Sequence, residues 1–409
     1  MSSRIRVVAG VACAAVAVAA SVAPASAATT KAVGSAVARS VAPANGRIAY
    51  VSDEGGNPSI WAMDDHGLHH WRLTTSPTFD ANPAWSPDGT QIAFVRKDTA
   101  ANGGDSEIWV MWADGSHAHP ITRDSVTDDD PAWSPDGSRI AYTHGDSSGA
   151  RVWLKTLATG RTTDVSPRYE TREPAWRPDG SITVSARPGP GSDFVLQQLF
   201  PASNSTFPGS AAYPGASLRN PAWSLDGRRI VYEIESVTQS PYTVHDDLYY
   251  GNYANDSDRN TVGVGAGQAA SWSPDGRYFA FARVIGGHFQ IMEQAIISGG
   301  LTIGVSEYGG ANEYEPSWQR LPHIVCPRPV VKGKAKRGKR LHVVQGALHP
   351  ALTRVSFTWL RGKHPAGTGR HHKVRRKDVG KRIRVRATCS VVGATAPVTV
   401  TSKARSIRK

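Results

Sequence analysis

Asn82-Pro-Ala-Trp-Ser-Pro-Asp-Gly89 recurs as Asp130-Pro-Ala-Trp-Ser-Pro-Asp-Gly137, Glu173-Pro-Ala-Trp-Arg-Pro-Asp-Gly180, Asn220-Pro-Ala-Trp-Ser-Leu-Asp-Gly227 and Ala269-Ala-Ser-Trp-Ser-Pro-Asp-Gly276, with a truncated sixth copy at Glu315-Pro-Ser-Trp318. The Trp positions are separated by 48, 43, 47, 49 and 46 residues, a period that suits a four-stranded propeller blade. Each copy has a local mechanism. Ala-Trp ends a short strand; in the turn that follows, Pro fixes the first φ, Asp bonds nearby backbone and Gly tolerates positive φ. Alternating stretches such as Ile92-Ala-Phe94, Ile140-Ala-Tyr142, Ile230-Val-Tyr232 and Phe279-Ala-Phe281 then open a second strand, so the unit is a repeated β-hairpin. Ile108-Trp-Val-Met111 and Val152-Trp-Leu154 read as third strands.

The two ends of the repeat region complement each other. Asn45-Gly-Arg-Ile-Ala-Tyr50 and Ser59-Ile-Trp-Ala-Met63 look like second and third strands with no Pro-Ala-Trp before them, while Glu315-Pro-Ser-Trp318 has no Ile-Ala-Phe after it. Joined in one blade they close a ring and leave no sheet edge open. The fold predicted is all-β, with a six-bladed β-propeller over 45–322 followed by a small β-sandwich over 323–409.

The Pro-Ala-Trp-Ser-Pro-Asp-Gly motif resembles the WD40-like (PD40) repeats of TolB-type β-propellers, over about 280 residues. That resemblance implies the fold more than an activity, because propellers host binding, scaffolding and several chemistries. TolB itself carries an α/β domain before its propeller, whereas here a short Ala/Val/Ser stretch over 28–44 precedes the first blade strand. Exopeptidases of the family append a serine hydrolase, but the last 87 residues hold no Gly-x-Ser-x-Gly.

Composition agrees with an all-β globular chain. Of 409 residues, 40% are hydrophobic and 12 are Trp, enough apolar surface to exclude a disordered chain. The 40 Gly and 27 Pro argue against helix bundles. Arg4 and Arg6 precede an apolar run from Val7 to Val22, and Ala25-Ser-Ala27 follows, so residues 1–27 read as a secretory signal peptide and the protein as exported. The run is short for a membrane span, and no transmembrane segment is expected in the mature chain. Once Cys13 leaves with the signal, Cys326 and Cys389 remain, and an oxidising compartment favours a disulfide between them.

The net charge of +13 is unevenly divided. From His323 onward, 23 Lys and Arg face the single acid Asp378, which leaves the remainder acidic. Leu341–Val344, Val355–Leu360, Ile383–Val391 and Val398–Thr401 read as sandwich strands. With central Trp359 and the Asp378-Val-Gly-Lys-Arg-Ile-Arg-Val segment, this tail resembles Ig-like modules of secreted actinobacterial proteins. Alternation places Arg382, Arg384 and Arg386 on one strand face, and Arg375 and Lys377 join Lys373 in a second row if that stretch is extended. Together with Lys336, Arg337, Lys339 and Arg340 they are expected to form one basic surface for an anionic envelope polymer. Sequence-specific nucleic-acid reading is not expected, since no aromatics interleave the charges. Solvated charge with no dedicated partner, or docking onto the acidic propeller, is the other reading of this charge.

The residues before each repeat's Pro should meet at the channel mouth. Asn82, Asp130, Glu173, Asn220 and Glu315, with Asp80, Asp128 and Glu313 just upstream, are the candidate ligand-binding set. Their oxygens suit a cationic peptide, sugar hydroxyls or a Ca²⁺, the one cofactor considered. A turn-and-cap pattern that bonds its own backbone is the other reading of these residues. Histidines such as His69-His70 and His371-His372 read as surface or loop residues, with no metal site assigned. These readings converge on a monomeric, secreted, wall-associated binding protein with no assigned catalytic residue, whose propeller receives another protein or a glycan. The alternative is a lyase or hydrolase acting on acidic carbohydrate at the channel mouth.

Overall fold

The computed structural model describes residues 45–409 apart from 76–77, 98–103, 146–148, 201–204, 208–214, 240–241, 253–261, 297–301, 307–309, 351, 393 and 395. The signal peptide and linker readings lie outside the described residues. Among the described residues, six four-stranded antiparallel sheets follow one another along the chain. In the first, Asn45–Ser52, Ser59–Met63 and His70–Arg72 are completed by Glu313–Arg320, which supplies the innermost strand. The register pairs Ile48 with Trp318 and Ala49 with Ser317, so the last repeat closes the ring against the first. The other innermost strands are Asp80–Trp85, Asp128–Trp133, Glu170–Trp176, Ala216–Trp223 and Gln268–Trp272.

Second strands such as Gln91–Lys97 bury both faces between neighbouring blades. Ile92, Ala93 and Phe94 are fully enclosed in consecutive positions, as are Phe279, Ala280, Phe281 and Ala282, so these strands read as continuous apolar runs. The repeated Ala-Trp has a matching role between blades. The indole N–H of Trp133 donates to Ala84 O at 3.0 Å, Trp176 to Ala132 O at 3.1 Å and Trp272 to Ala222 O at 3.0 Å. A guanidinium from the preceding blade then covers the ring: Arg139 over Trp176, Arg177 over Trp223, Arg229 over Trp272. The turn aspartates are structural. Asp136 accepts from Ser134 Oγ at 2.6 Å and Ser138 N at 3.0 Å, and these bonds hold its carboxyl down to about 2.

The tail is a β-sandwich. A three-stranded sheet (Val330–Gly333, Arg340–Val344, His371–Lys373) packs on a five-stranded one built from His364–Thr368, Arg354–Arg361, Arg382–Ser390, Val398–Thr401 and Arg405–Ser406. Between them lie Trp359, Val385, Leu341 and Val343. The Cys326–Cys389 disulfide ties the module's first segment to its long central strand. One end of this sandwich touches the propeller: Val392 packs on the core of the first two blades, and the Arg354 guanidinium lies over Trp112.

Three expectations about the tail are corrected. Arg375 and Lys377 do not continue a strand row, because the strand ends at Lys373 and a 3-10 turn occupies Arg376–Asp378. That turn carries Asp378 inward, where its carboxylate accepts from Arg361 Nε at 2.7 Å, the Arg375 backbone N–H at 2.8 Å and His372 Nε2 at 3.0 Å. His372 is therefore a buried strand residue stacked on Trp359, not a surface histidine. Nor do the basic residues share one face: Arg382, Arg384 and Arg386 point out from one sheet, Arg340 and Lys373 from the other. Among the described residues, no helix is long and apolar enough to cross a membrane.

Candidate functional site

The residue before each repeat's Pro, or before Ala270 in the fifth copy, sits in a β-bulge of the innermost strand, where the register slips. All six adopt left-handed backbone, with φ of 47° at Asn82, 52° at Asp130, 54° at Glu173, 46° at Asn220, 52° at Ala269 and 53° at Glu315. Asn and Asp accept this conformation readily, while Glu and Ala hold it at a cost of order 1–3 kcal/mol. The six residues, each with the residue that follows it, line a pocket of about 150 Å³ at the centre of the ring.

The bulge turns backbone N–H groups toward the neighbouring blade, and acids receive them. Glu315 Oε2 accepts from Asn82 N at 2.6 Å, and Glu173 Oε2 from Asn220 N at 2.8 Å. Glu233 accepts from the Ala269 backbone N–H and, at 3.0 Å, from Asn220 Nδ2. Thr143 Oγ1 donates to Asp130 Oδ2 at 2.8 Å while accepting from Glu173 N at 3.0 Å. Asn82 Nδ2 reaches Asp129 Oδ1 at 2.6 Å and Asp130 Oδ1 at 3.3 Å. Arg219 neutralises Glu173 through its guanidinium. The ring is thus a chain of blade-to-blade hydrogen bonds running from Glu315 to Ala269.

Burial dominates the electrostatics. It pushes the carboxyls of Glu315 and Glu233 up to about 7, helped for Glu315 by the charge of Asp129 and for Glu233 by that of Glu173. Asp130 is held well above the usual carboxylate range by burial and by Asp129 and Glu173 beside it. At neutral pH the mouth therefore carries fewer negative charges than its acids suggest. Its carboxyls and amides can donate as well as accept, which fits peptide groups and hydroxyls. A Ca²⁺ would need these same oxygens ionised and released from the N–H groups they now hold.

Three of the predicted residues lie elsewhere. Asp80, Asp128 and Glu313 are fully enclosed two positions before the ring residue and do not line the pocket, because side chains two apart straddle a bulge whose extra residue alone turns to the centre. Asp80 pairs with Arg96 at 2.6 Å, and Asp128 with His144 at 2.7 Å, at the same cross-strand position of successive blades. Asp124, Asp128 and His144 bring potential metal-ligating atoms within 4.8 Å of one another, yet the match to Asp80–Arg96 identifies the core of that cluster as an inter-strand hydrogen-bonded pair. Glu233 and Asp129 belong to the ring and were missed. Glu233 stands on a second strand, 13 residues beyond Asn220 as Thr143 stands 13 beyond Asp130, and that recurrence was the available signal.

A family model described as the TolB beta propeller domain matches residues 14–198 and 90–319. The chain belongs to the TolB β-propeller family. A curated relative, the Tol-Pal system protein TolB of Geobacter sulfurreducens, is 42% identical over 50 residues, which is 12% of this chain and 12% of that one. The crystal structure of TolB from Acinetobacter baumannii superposes with a TM-score of 0.54 at 19% identity, over 67% of this chain and 66% of that chain. Hydrazine synthase of Kuenenia stuttgartiensis gives 0.55 at 13% identity, over 68% of this chain and 48% of that chain. These structural likenesses establish the TolB-like fold.

Proposed function

We propose that this TolB-family chain is an exported, non-enzymatic binding protein. Its propeller presents the central ring to another protein, and its basic, Ig-like C-terminal module holds it to an anionic cell envelope. The observation that carries the reading is the ring itself: six residues in left-handed backbone converge on one opening, with buried carboxyls able to donate and accept toward a peptide. The relative named for the Tol-Pal system points the same way, toward a propeller working within a protein assembly.

The test is co-sedimentation of the whole chain with isolated envelope across a salt series, alongside the ring variants Asn82→Ala and Asn220→Ala. Release by salt is expected for the module's contribution, and loss of salt-resistant binding in the ring variants for the propeller's. Binding unchanged by both would sink the proposal. The second reading, a lyase or hydrolase on acidic carbohydrate, draws on Glu315 and Glu233, whose carboxyls near 7 are poised for proton transfer. Shortening of a uronic-acid polymer by the wild-type chain, lost in Glu315→Gln, would establish it.

A further inference from the structure

The positive charge of the sandwich is concentrated at the end away from the propeller. Backbone bonds gather three segments there: Gly338 N donates to Val374 O at 2.9 Å, Gly380 N to Ile407 O at 3.0 Å and Arg408 N to Ala335 O at 2.9 Å. The opposite end carries Arg354 and Val392, which meet the propeller. On one sheet, Arg382, Arg384 and Arg386 are exposed while Ile383, Val385 and Ala387 between them are fully buried. These arginines recur about every 7 Å along the strand. Thr358 and Thr401 flank Arg386 on the same face. Over the tip, Lys336, Arg337 and Lys339 are exposed, and on the second sheet Lys332, Arg340 and Lys373 face outward. The module's one Asp or Glu, Asp378, is buried and held by Arg361, so no acidic side chain interrupts this path.

We infer that this belt, running from one sheet face over the tip to the other, binds a flexible phosphodiester-linked wall polymer; the inference rests on the anchoring reading above and narrows it. The shape selects the partner. A flat bilayer would meet the tip alone, and a stiff duplex would meet one side, whereas a chain of polyol phosphates can bend across all three surfaces. Single-stranded nucleic acid needs exposed aromatic platforms, and the module's Phe357 and Trp359 are both buried. Arginine's planar fork suits phosphate oxygens, and the threonine hydroxyls beside Arg386 add donors.

The experiment titrates the whole chain with poly(glycerol phosphate) in rising salt. If about five phosphates are engaged, affinity falls on the order of 100-fold between 50 and 200 mM salt. Three triple variants follow: Arg382→Gln with Arg384→Gln and Arg386→Gln; Lys336→Gln with Arg337→Gln and Lys339→Gln; and Lys332→Gln with Arg340→Gln and Lys373→Gln. Each should weaken binding about 10-fold or more and flatten the salt slope, with circular dichroism reporting that the sandwich remains folded. A triple on either face that leaves affinity unchanged overturns the belt. So does wild-type binding to phosphatidylglycerol vesicles, a short DNA duplex or a uronate polymer as tight as to poly(glycerol phosphate), a comparison that needs no variant. If isolated envelope binds and is released by salt but poly(glycerol phosphate) does not compete, anchoring stands and the polymer assignment fails. If envelope does not bind, both fail.

Discussion

Gly89 and Gly137 occupy the same turn position in successive repeats, with φ of 68° and 69°, yet their surroundings differ. A Cβ at Gly89 would lie 1.9 Å from the carbonyl oxygen of Arg320, in the strand that closes the ring, whereas at Gly137 the nearest atom is a Pro87 side-chain carbon at 3.5 Å. Gly137→Ala should therefore cost only the left-handed penalty, about 1–2 kcal/mol. Gly89→Ala should cost at least twice that, since backbone at the closure must also move. Urea unfolding of the two variants checks this, and equal losses would mean that the closing strand yields freely. At the residue scale, then, the same letter in the same motif carries a backbone need in one blade and a packing need in another.

Between elements, the motif Trp ties one blade to the next, and the pair Trp133 and Trp85 isolates that bond. Trp133 donates its indole N–H to Ala84 O, while the Trp85 indole nitrogen is buried without a partner among the described residues. Trp133→Phe should destabilise more than Trp85→Phe by about 1–2 kcal/mol, because the first strands a carbonyl and the second removes an unmet donor. Denaturant midpoints measured side by side would show it, and a reversed order would reject the inter-blade role. In the sandwich, the Cys326–Cys389 bridge spans a sequence separation of 63 residues, and Cys389→Ala should lower stability by roughly 4 kcal/mol on the loop-entropy account. The hairpins, the closure of Glu313–Arg320 on Asn45–Ser52 and this bridge were all legible, because turn chemistry and an even cysteine pair are written locally. The bulge was not. Nothing in Asp80-Ala-Asn82 announces that the register slips, so Asp80 was assigned to the mouth when it faces Arg96. Glu233 escaped for the complementary reason: it reaches the ring from a neighbouring strand, a distance that only the blade geometry sets.

For the whole molecule, the deeply buried acids of the propeller behave oppositely to the sandwich's single acid, and pH should separate them. In the propeller, burial raises Glu233, Glu293, Glu313, Glu315 and Asp128 to about 7. A folded state that holds these protons while the unfolded chain has released them is stabilised at low pH, and that stability is lost as pH climbs from about 4.5 through 7. In the sandwich, hydrogen bonds from the Arg375 backbone and the Arg361 side chain hold Asp378 below its ordinary value against burial. Its contribution is present above about pH 4 and disappears as pH falls through the lowered value. The propeller should consequently melt at a higher temperature at pH 5 than at pH 8, with most of the change between pH 5 and 7, while the sandwich loses stability only below about pH 4. Thermal unfolding followed by tryptophan fluorescence, which is weighted to the propeller, tests the first half, and the salt must be high enough to screen surface charge. A propeller more stable at pH 8 than at pH 5 would mean that its buried carboxyls are ionised in the fold. The ring would then be an anionic mouth suited to cations rather than a neutral one suited to peptide groups, and the choice of partner would change with it.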